Sequence, residues 1–207
     1  MLLGLEEAPA LELPHERFAY AGQYRMRRYG KAVLTSRPSR PMRPGYIIAA
    51  VTTDRHRRHR DRLVVRTMDV RRDRRGHGWG PSLLVSLLPT AHAAGYRTIQ
   101  IHVNNPFAYI AVSKAGFGWT GRSTGLAELV MTRPTDRPAT TPQGRFAAGL
   151  SVYRRRRPTP AGRRVIARYH RGLAPLDAPP TVDEMIPAHH GWERNRHRRT
   201  AAVRAHP

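Results

Sequence analysis

The stretch VRRDRRGHGWG, Val70 to Gly80, constrains the fold of this chain more than any other. The residues before it, LVVRTMDV, are rich in β-branched side chains and read as a strand. Those after it, PSLLVSLLPTAHAAGY, carry Leu83, Leu84, Leu87 and Leu88 at helical spacing. A strand that stops at Val70 and a helix that starts near Gly78 leave the amides between them without partners, at the positive end of the helix dipole. Glycines at 76, 78 and 80 remove side chains that would hold an anion away, and Arg74 and Arg75 add charge beside them. This is a diphosphate site in outline. The same letters also fit a basic surface turn joining strand to helix.

Two nucleotide-binding patterns fail on spacing. A Walker loop needs Gly-Lys-Ser/Thr after four spacer residues, and the chain has none. The dinucleotide fingerprint runs G-x-G-x-x-G, whereas these glycines run G-x-G-x-G.

The flanking segments place the turn in a mixed domain. GYIIAAVTT (Gly45–Thr53) reads as a strand, DRHRRHRDR (Asp54–Arg62) as a solvated connection, and the two strands together as a hairpin from Tyr46 to Val70. Pro81 suits the first turn of the following helix, Pro89 kinks or shortens it, and Gly95 suits its C-cap. RTIQIHV alternates Ile99, Ile101 and Val103 as a strand. NPFAYIAVSKAGF has Pro106 where a helix would start and Gly116 where it would stop, and LAELVMT closes the region as a strand. The order predicts an α/β (α+β) core over 45–133 with a right-handed crossover. In residues 1–44, assigned to the same domain, KAVLTS is the best strand. Residues 134–207 hold fifteen arginines and five acids between prolines. They read as a basic tail with a short helix at 163–172 and no core of its own.

Thirty-seven basic and 14 acidic residues give a formal charge of +23, and only Lys31 and Lys114 are lysines. A G+C-rich genome would produce such an arginine bias; attraction to a polyanion or an acidic substrate would use it. The absence of cysteine removes thiolate nucleophiles and Cys-based zinc sites. His189, His190 and His197 lack an accompanying carboxylate and cysteine pattern, so no metal is expected. Glu6, Glu7 and Glu12 stand where a signal peptide would need positive charge, and no apolar run reaches a membrane span of about 18–20 residues. The expectation is a soluble, cytoplasmic protein without a membrane partner.

The chain resembles the GCN5-related N-acetyltransferase (GNAT) superfamily. Its cofactor motif, R/Q-x-x-G-x-G/A after a strand-ending hydrophobe, is met by Arg75, Gly78 and Gly80, with Val70 in the expected place. A second motif, N-x-x-A followed by K-x-G-F, is met by Asn105, Ala108, Lys114, Gly116 and Phe117. The resemblance covers Leu63 to Arg133. It implies a mostly antiparallel central sheet with one splayed parallel strand pair, flanked by helices, and an acetyl-CoA or other acyl-CoA cofactor. The amides of Arg75, Gly76, His77, Gly78, Trp79 and Gly80 would take the pyrophosphate. The Val70 backbone would pair with the pantetheine arm, Asn105 would contact it further along, and a backbone amide would polarise the acyl carbonyl. The acceptor would be an amine on a small molecule, a protein or an aminoacyl-tRNA. Trp79 and Phe117 read as packing residues, and Asn105 also as an N-cap.

The family pattern breaks at the chemistry. Most relatives carry a tyrosine seven residues after the motif asparagine to protonate the leaving thiolate, and here that position is Val112. Tyr109, three residues earlier, is a displaced substitute and equally a packing residue. The usual carboxylate base is also missing: Met68, Arg66 and Val64 share the parity of Val70, and Asp69 has the opposite one. A catalytically silent GNAT-fold protein that binds nucleic acid is the alternative, using the ten arginines against three aspartates of residues 55–75 and the basic tail.

Overall fold

The hairpin expected from Tyr46 to Val70 forms the middle of a single sheet. In the computed structural model, which describes residues 1–37, 39–40, 43–139 and 143–170, β3 (Ile47–Arg55) pairs antiparallel with β4 (Arg62–Val70). The charged connection is shorter than the sequence reading had it, because both strands extend into it. Around this pair lie β1 (Leu2–Gly4), β2 (Gly30–Thr35), β5 (Thr98–Val103), β6 (Gly118–Ser123) and β7 (Leu129–Pro134), in the order β1-β2-β3-β4-β5-β7-β6. Every neighbouring pair is antiparallel except β4 and β5. The mixed sheet with one parallel pair is the architecture the motifs imply.

The helices follow the sequence signals closely. α1 (Trp79–Ser86) begins at Gly78, and α2 (Leu88–Ala93) takes Pro89 into its first turn. One proline-interrupted apolar run therefore becomes two short helices. Gly95, just past α2, has φ +85°, as a helix stop requires. α3 (Pro106–Lys114) starts and stops at the proline and glycine that mark it. The strand read from LAELVMT begins only at Leu129, with Leu126 fully out in solvent. Two strands escaped the sequence reading. β1 is three residues long, and β6, GWTGRS, has no alternating apolar set. Each exists because a neighbouring strand, β2 or β7, offers it a ladder.

The basic segment after Pro134 differs from the expectation that it lacks a core. α4 (Gln143–Arg155) and α5 (Pro160–His170) bury Leu150, Tyr153 and Ile166 in the same cluster as Leu83, Ile101, Ile110 and Met131. The expected helix at 163–172 starts three residues early, and its last two residues lie outside the described set. A few apolar residues spaced along an arginine-rich helix suffice, because long arginine stems let the charged heads remain in water.

The two faces of the sheet are covered differently. Helices α1, α3, α4 and α5 pack on one face. On the other, Leu11, Leu13, Phe18 and Tyr24 of the N-terminal segment pack on Val33, Ile47 and Ala50 of β2 and β3. Tyr24 donates to the Ala50 carbonyl at 2.8 Å. The buried Lys31 ammonium gathers the carbonyls of Ala8, Met26 and Tyr29, which ties that segment down. This second cluster stops at β3, so the outer face of β4, β5 and β7 borders a cavity instead. No helix of the described residues is long and apolar enough to cross a membrane.

Candidate functional site

β4 and β5 run together only from Arg62/Thr98 to Val65/Ile101. Beyond that point β4 continues to Val70 and β5 to Val103 without pairing to each other. Arg71 N–H donates to the Ile48 carbonyl on β3 at 2.8 Å. The antiparallel alternation therefore turns the backbone groups of Met68 and Val70 away from β3, toward the gap. A cavity of ≈ 200 Å³ lies there, lined among others by Thr67, Met68, Ile101, Asn104, Asn105 and Ala108.

The glycine turn follows the end of β4, and its glycines do two different jobs. Gly76 (φ +82°) and Gly78 (φ +87°) hold left-handed backbone that other residues adopt only at a cost. Gly80 has ordinary helical backbone, but a Cβ there would stand 3.4 Å from both Met68 Sδ and Val70 Cγ2. It lets α1 rest directly on β4. Gly78 caps α1 with no side-chain hydrogen bond. Among the described residues, the amides of Arg75, Gly76, His77, Gly78 and Gly80 donate to no protein acceptor. His77 is exposed, with Nδ1 2.8 Å from the Arg75 carbonyl. Trp79 is buried in the main core, as a packing residue should be.

The arginine charges sit otherwise than the sequence reading had them. Arg74 is buried, with Nε 3.8 Å from Asp73, which also takes Arg71 Nε at 2.8 Å. Arg75 folds back on the strand end: Nε donates to the Val70 carbonyl at 3.1 Å, and Nη2 to Asp69 at 3.2 Å. The Asp69 carboxylate is 3% exposed and also accepts the Tyr20 N–H at 2.9 Å. It is a structural anchor rather than a free base.

Asn105 caps α3, its Oδ1 accepting Ala108 N–H at 2.9 Å while Nδ2 donates to Asn104. Asn105→Ala should lower stability by about 1 kcal/mol through loss of the cap, readable by thermal denaturation. Val112 is fully buried. Tyr109 is buried too, donating to the Phe146 carbonyl on α4 at 3.2 Å and stacked on the Phe146 ring. Burial pushes its phenol far above the usual range. Its hydroxyl is held beneath Gly149, where an added Cβ would strike it.

The structure brings in a pair that the sequence reading passed over. His102, half-buried on β5, has Nδ1 3.8 Å from Glu128 Oε2, and both residues line the cleft. Arg62 donates to Gln100 Oε1 at 3.0 Å, and Gln100 Nε2 lies 2.8 Å from His102 Nε2. An amide donor on Nε2 leaves the ring proton on Nδ1, facing Glu128. Burial holds the imidazole below its ordinary pKa; Glu128 opposes that shift and Arg66 adds to it. The only advance signal was parity, since His102 and Gln100 alternate with the buried isoleucines of RTIQIHV. Among the described residues no group of histidine and acidic side chains could hold a metal; His189, His190 and His197 lie outside them.

No protein-family model matches the chain, and no curated protein does either. Solved structures do. An N-acetyltransferase from Staphylococcus aureus Mu50 is 19% identical over 52% of this chain and 68% of its own, with a TM-score of 0.42. The ribosomal-protein-S18-alanine N-acetyltransferase of Escherichia coli is 20% identical over 56% of this chain and 74% of its own, with a TM-score of 0.40. A Thermoplasma acidophilum N-acetyltransferase in complex with coenzyme A is 13% identical over 43% of this chain and 54% of its own, at 0.38. The chain's own strand order and its single splayed parallel pair, with a glycine turn at the mouth, make this a GNAT-like fold.

Proposed function

We propose that the chain is an acyl-CoA-dependent N-acyltransferase that moves an acetyl group from acetyl-CoA to an amine. The observation that carries this reading is the row of unpartnered amides from Arg75 to Gly80, with Trp79 set aside, at the start of α1 and the mouth of the β4–β5 splay. Orphan donors at a helix N-terminus favour a diphosphate. Coenzyme A supplies an acyl group already activated as a thioester. The chain's residues do the rest. Gly76 and Gly78 shape the cradle, Gly80 seats α1 on β4, and Asn105 lines the cleft beyond. The Val70 carbonyl is held by Arg75, so Val70 pairs with a pantetheine arm through that oxygen only once the half-exposed Arg75 side chain swings away.

The acceptor nitrogen forms a C–N bond as the C–S bond breaks, and it must lose a proton. His102, neutral near pH 7 because burial lowers its pKa, receives that proton at Nε2 once the Gln100 amide releases this nitrogen, and Glu128 stabilises the imidazolium that results. Tyr109 and Val112 have no part in this step, since both side chains are committed to the core. Thiolate departs without a tyrosine donor, as a tolerable leaving group.

Calorimetric titration with acetyl-CoA is the direct test, and no binding at millimolar concentration ends the proposal. Thiol release with a panel of amines tests the base. His102→Ala should lower kcat by about 100-fold. In the parent protein the rate should rise with pH along a limb centred below the usual histidine value of about 6.5, since only the neutral ring accepts a proton. The variant should lose that limb and keep its affinity for acetyl-CoA. An unchanged pH profile would remove His102 from the mechanism.

A further inference from the structure

A cavity larger than the cleft between β4 and β5 lies not at the glycine turn but on the opposite face of the sheet. It is a groove of ≈ 710 Å³, floored by Val64, Gln100 and Val130 and walled by the β3–β4 connection and the end of β6. Its volume lies within the range of small-molecule sites. It meets the cleft described above at Arg66 and His102, which line both. Anything seated in the groove can therefore present a group to the place where β4 and β5 part.

Its charge is one-sided. Arg55, Arg57, Arg58, Arg62, Arg66 and Arg122 line it against a single acid, Asp54. Arg55 is paired with Glu6. The other five form no salt bridge among the described residues. Arg62 Nε is buried without a hydrogen-bond partner. The wall is also built rather than loose, since His56 Nδ1 accepts the N–H groups of both Arg58 and His59, at 3.1 and 3.2 Å. Unpaired guanidinium groups held together repel one another, and a multiply charged anion relieves that repulsion while taking their forked donors. Five such groups exceed what one carboxylate can neutralise.

On the transferase reading above, we propose that this groove is the acceptor site and that it takes an amine borne on a small phosphorylated molecule. The guanidinium groups hold the phosphates, and the amine reaches the splay beside His102. A helix-face charge run would not do this. Here the arginines come from β3, β4, β6 and the connection between β3 and β4, and they converge on one concavity.

The test titrates tripolyphosphate into the full chain with the cofactor site saturated by coenzyme A, so that the second anion reports on the groove alone. Binding is expected in low salt. It should weaken by about 10-fold or more in Arg57→Ser/Arg58→Ser/Arg122→Ser, which removes three forked donors. A control of equal charge change, Arg145→Ser/Arg155→Ser/Arg164→Ser on the exposed sides of α4 and α5, should stay within about twofold. Coenzyme A should bind all three proteins alike. Equal weakening by both triple variants would mean diffuse attraction to a basic surface, and no tripolyphosphate binding would mean no anion site. Either overturns the proposal. Failure of the parent protein to bind coenzyme A is a different result, because it removes the transferase reading and the acceptor role with it. Binding of a short single-stranded RNA but not tripolyphosphate would also overturn it, in favour of an extended nucleic-acid surface.

Discussion

Replacing Gly78 and Gly80 together with valine should abolish acetyl-CoA binding, leaving a Kd beyond about 1 mM, or less than about 4 kcal/mol of binding energy. The two changes act differently. At Gly78, φ +87° costs a β-branched residue about 1–2 kcal/mol, and relief of that strain rotates the amides away from a common focus. At Gly80 the first added carbon already touches Met68 and Val70, so the remaining methyls must push α1 off β4. Thermal denaturation and circular dichroism separate loss of the cradle from loss of the fold. Gly76→Ala is the internal comparison. It has the same left-handed strain but open space around its Cβ, so it should lose stability and affinity only modestly. Undiminished affinity in the double variant would show that these amides do not hold the cofactor.

Tyr153→Ala should be the most damaging single change outside the site, costing about 3–5 kcal/mol. The ring is 2% exposed, packs against Tyr109, and sends its hydroxyl 2.7 Å to the Val103 carbonyl at the end of β5. Truncation leaves a large cavity and an unpaired carbonyl next to the cleft. In a chain of this size the loss should appear as a fall in Tm of about 10 °C, at roughly 2–4 °C per kcal/mol. Tyr153→Phe, which removes only the hydrogen bond, should cost about 1–2 kcal/mol. If both variants melt with the parent protein, α4 does not belong to the core. For the same reason Val112→Tyr is no simple restoration of the family tyrosine. Val112 is wholly buried, and a phenol there overpacks α3.

Much of this was legible without coordinates, and the reason differs from element to element. β3, β4 and β5 are β-branched runs whose strand character survives any context, and α3 carries its own proline start and glycine stop. The glycine turn could be read because left-handed backbone and close approach admit few other residues. α4 was hidden because GRFAAGLSVYRR looks like tail until something apolar lies opposite Leu150 and Tyr153. β6 was hidden because its ladder is supplied by β7.

Local chemistry in the letters alone determined the strand–glycine–helix corner and marked it as a candidate anion site. Short-range backbone preference decides that, and it needs no partner. The tertiary structure decided which charges are spent and which are free. Arg74 and Arg75 are folded onto Asp73 and Asp69, Tyr109 is drawn under α4, and His102 meets Glu128 across a sheet. The last two join residues far apart in the chain and are set by which elements lie side by side, whereas the arginine pairs are close in sequence. Arginines from three strands and one connection face a single groove only because the sheet carries them there.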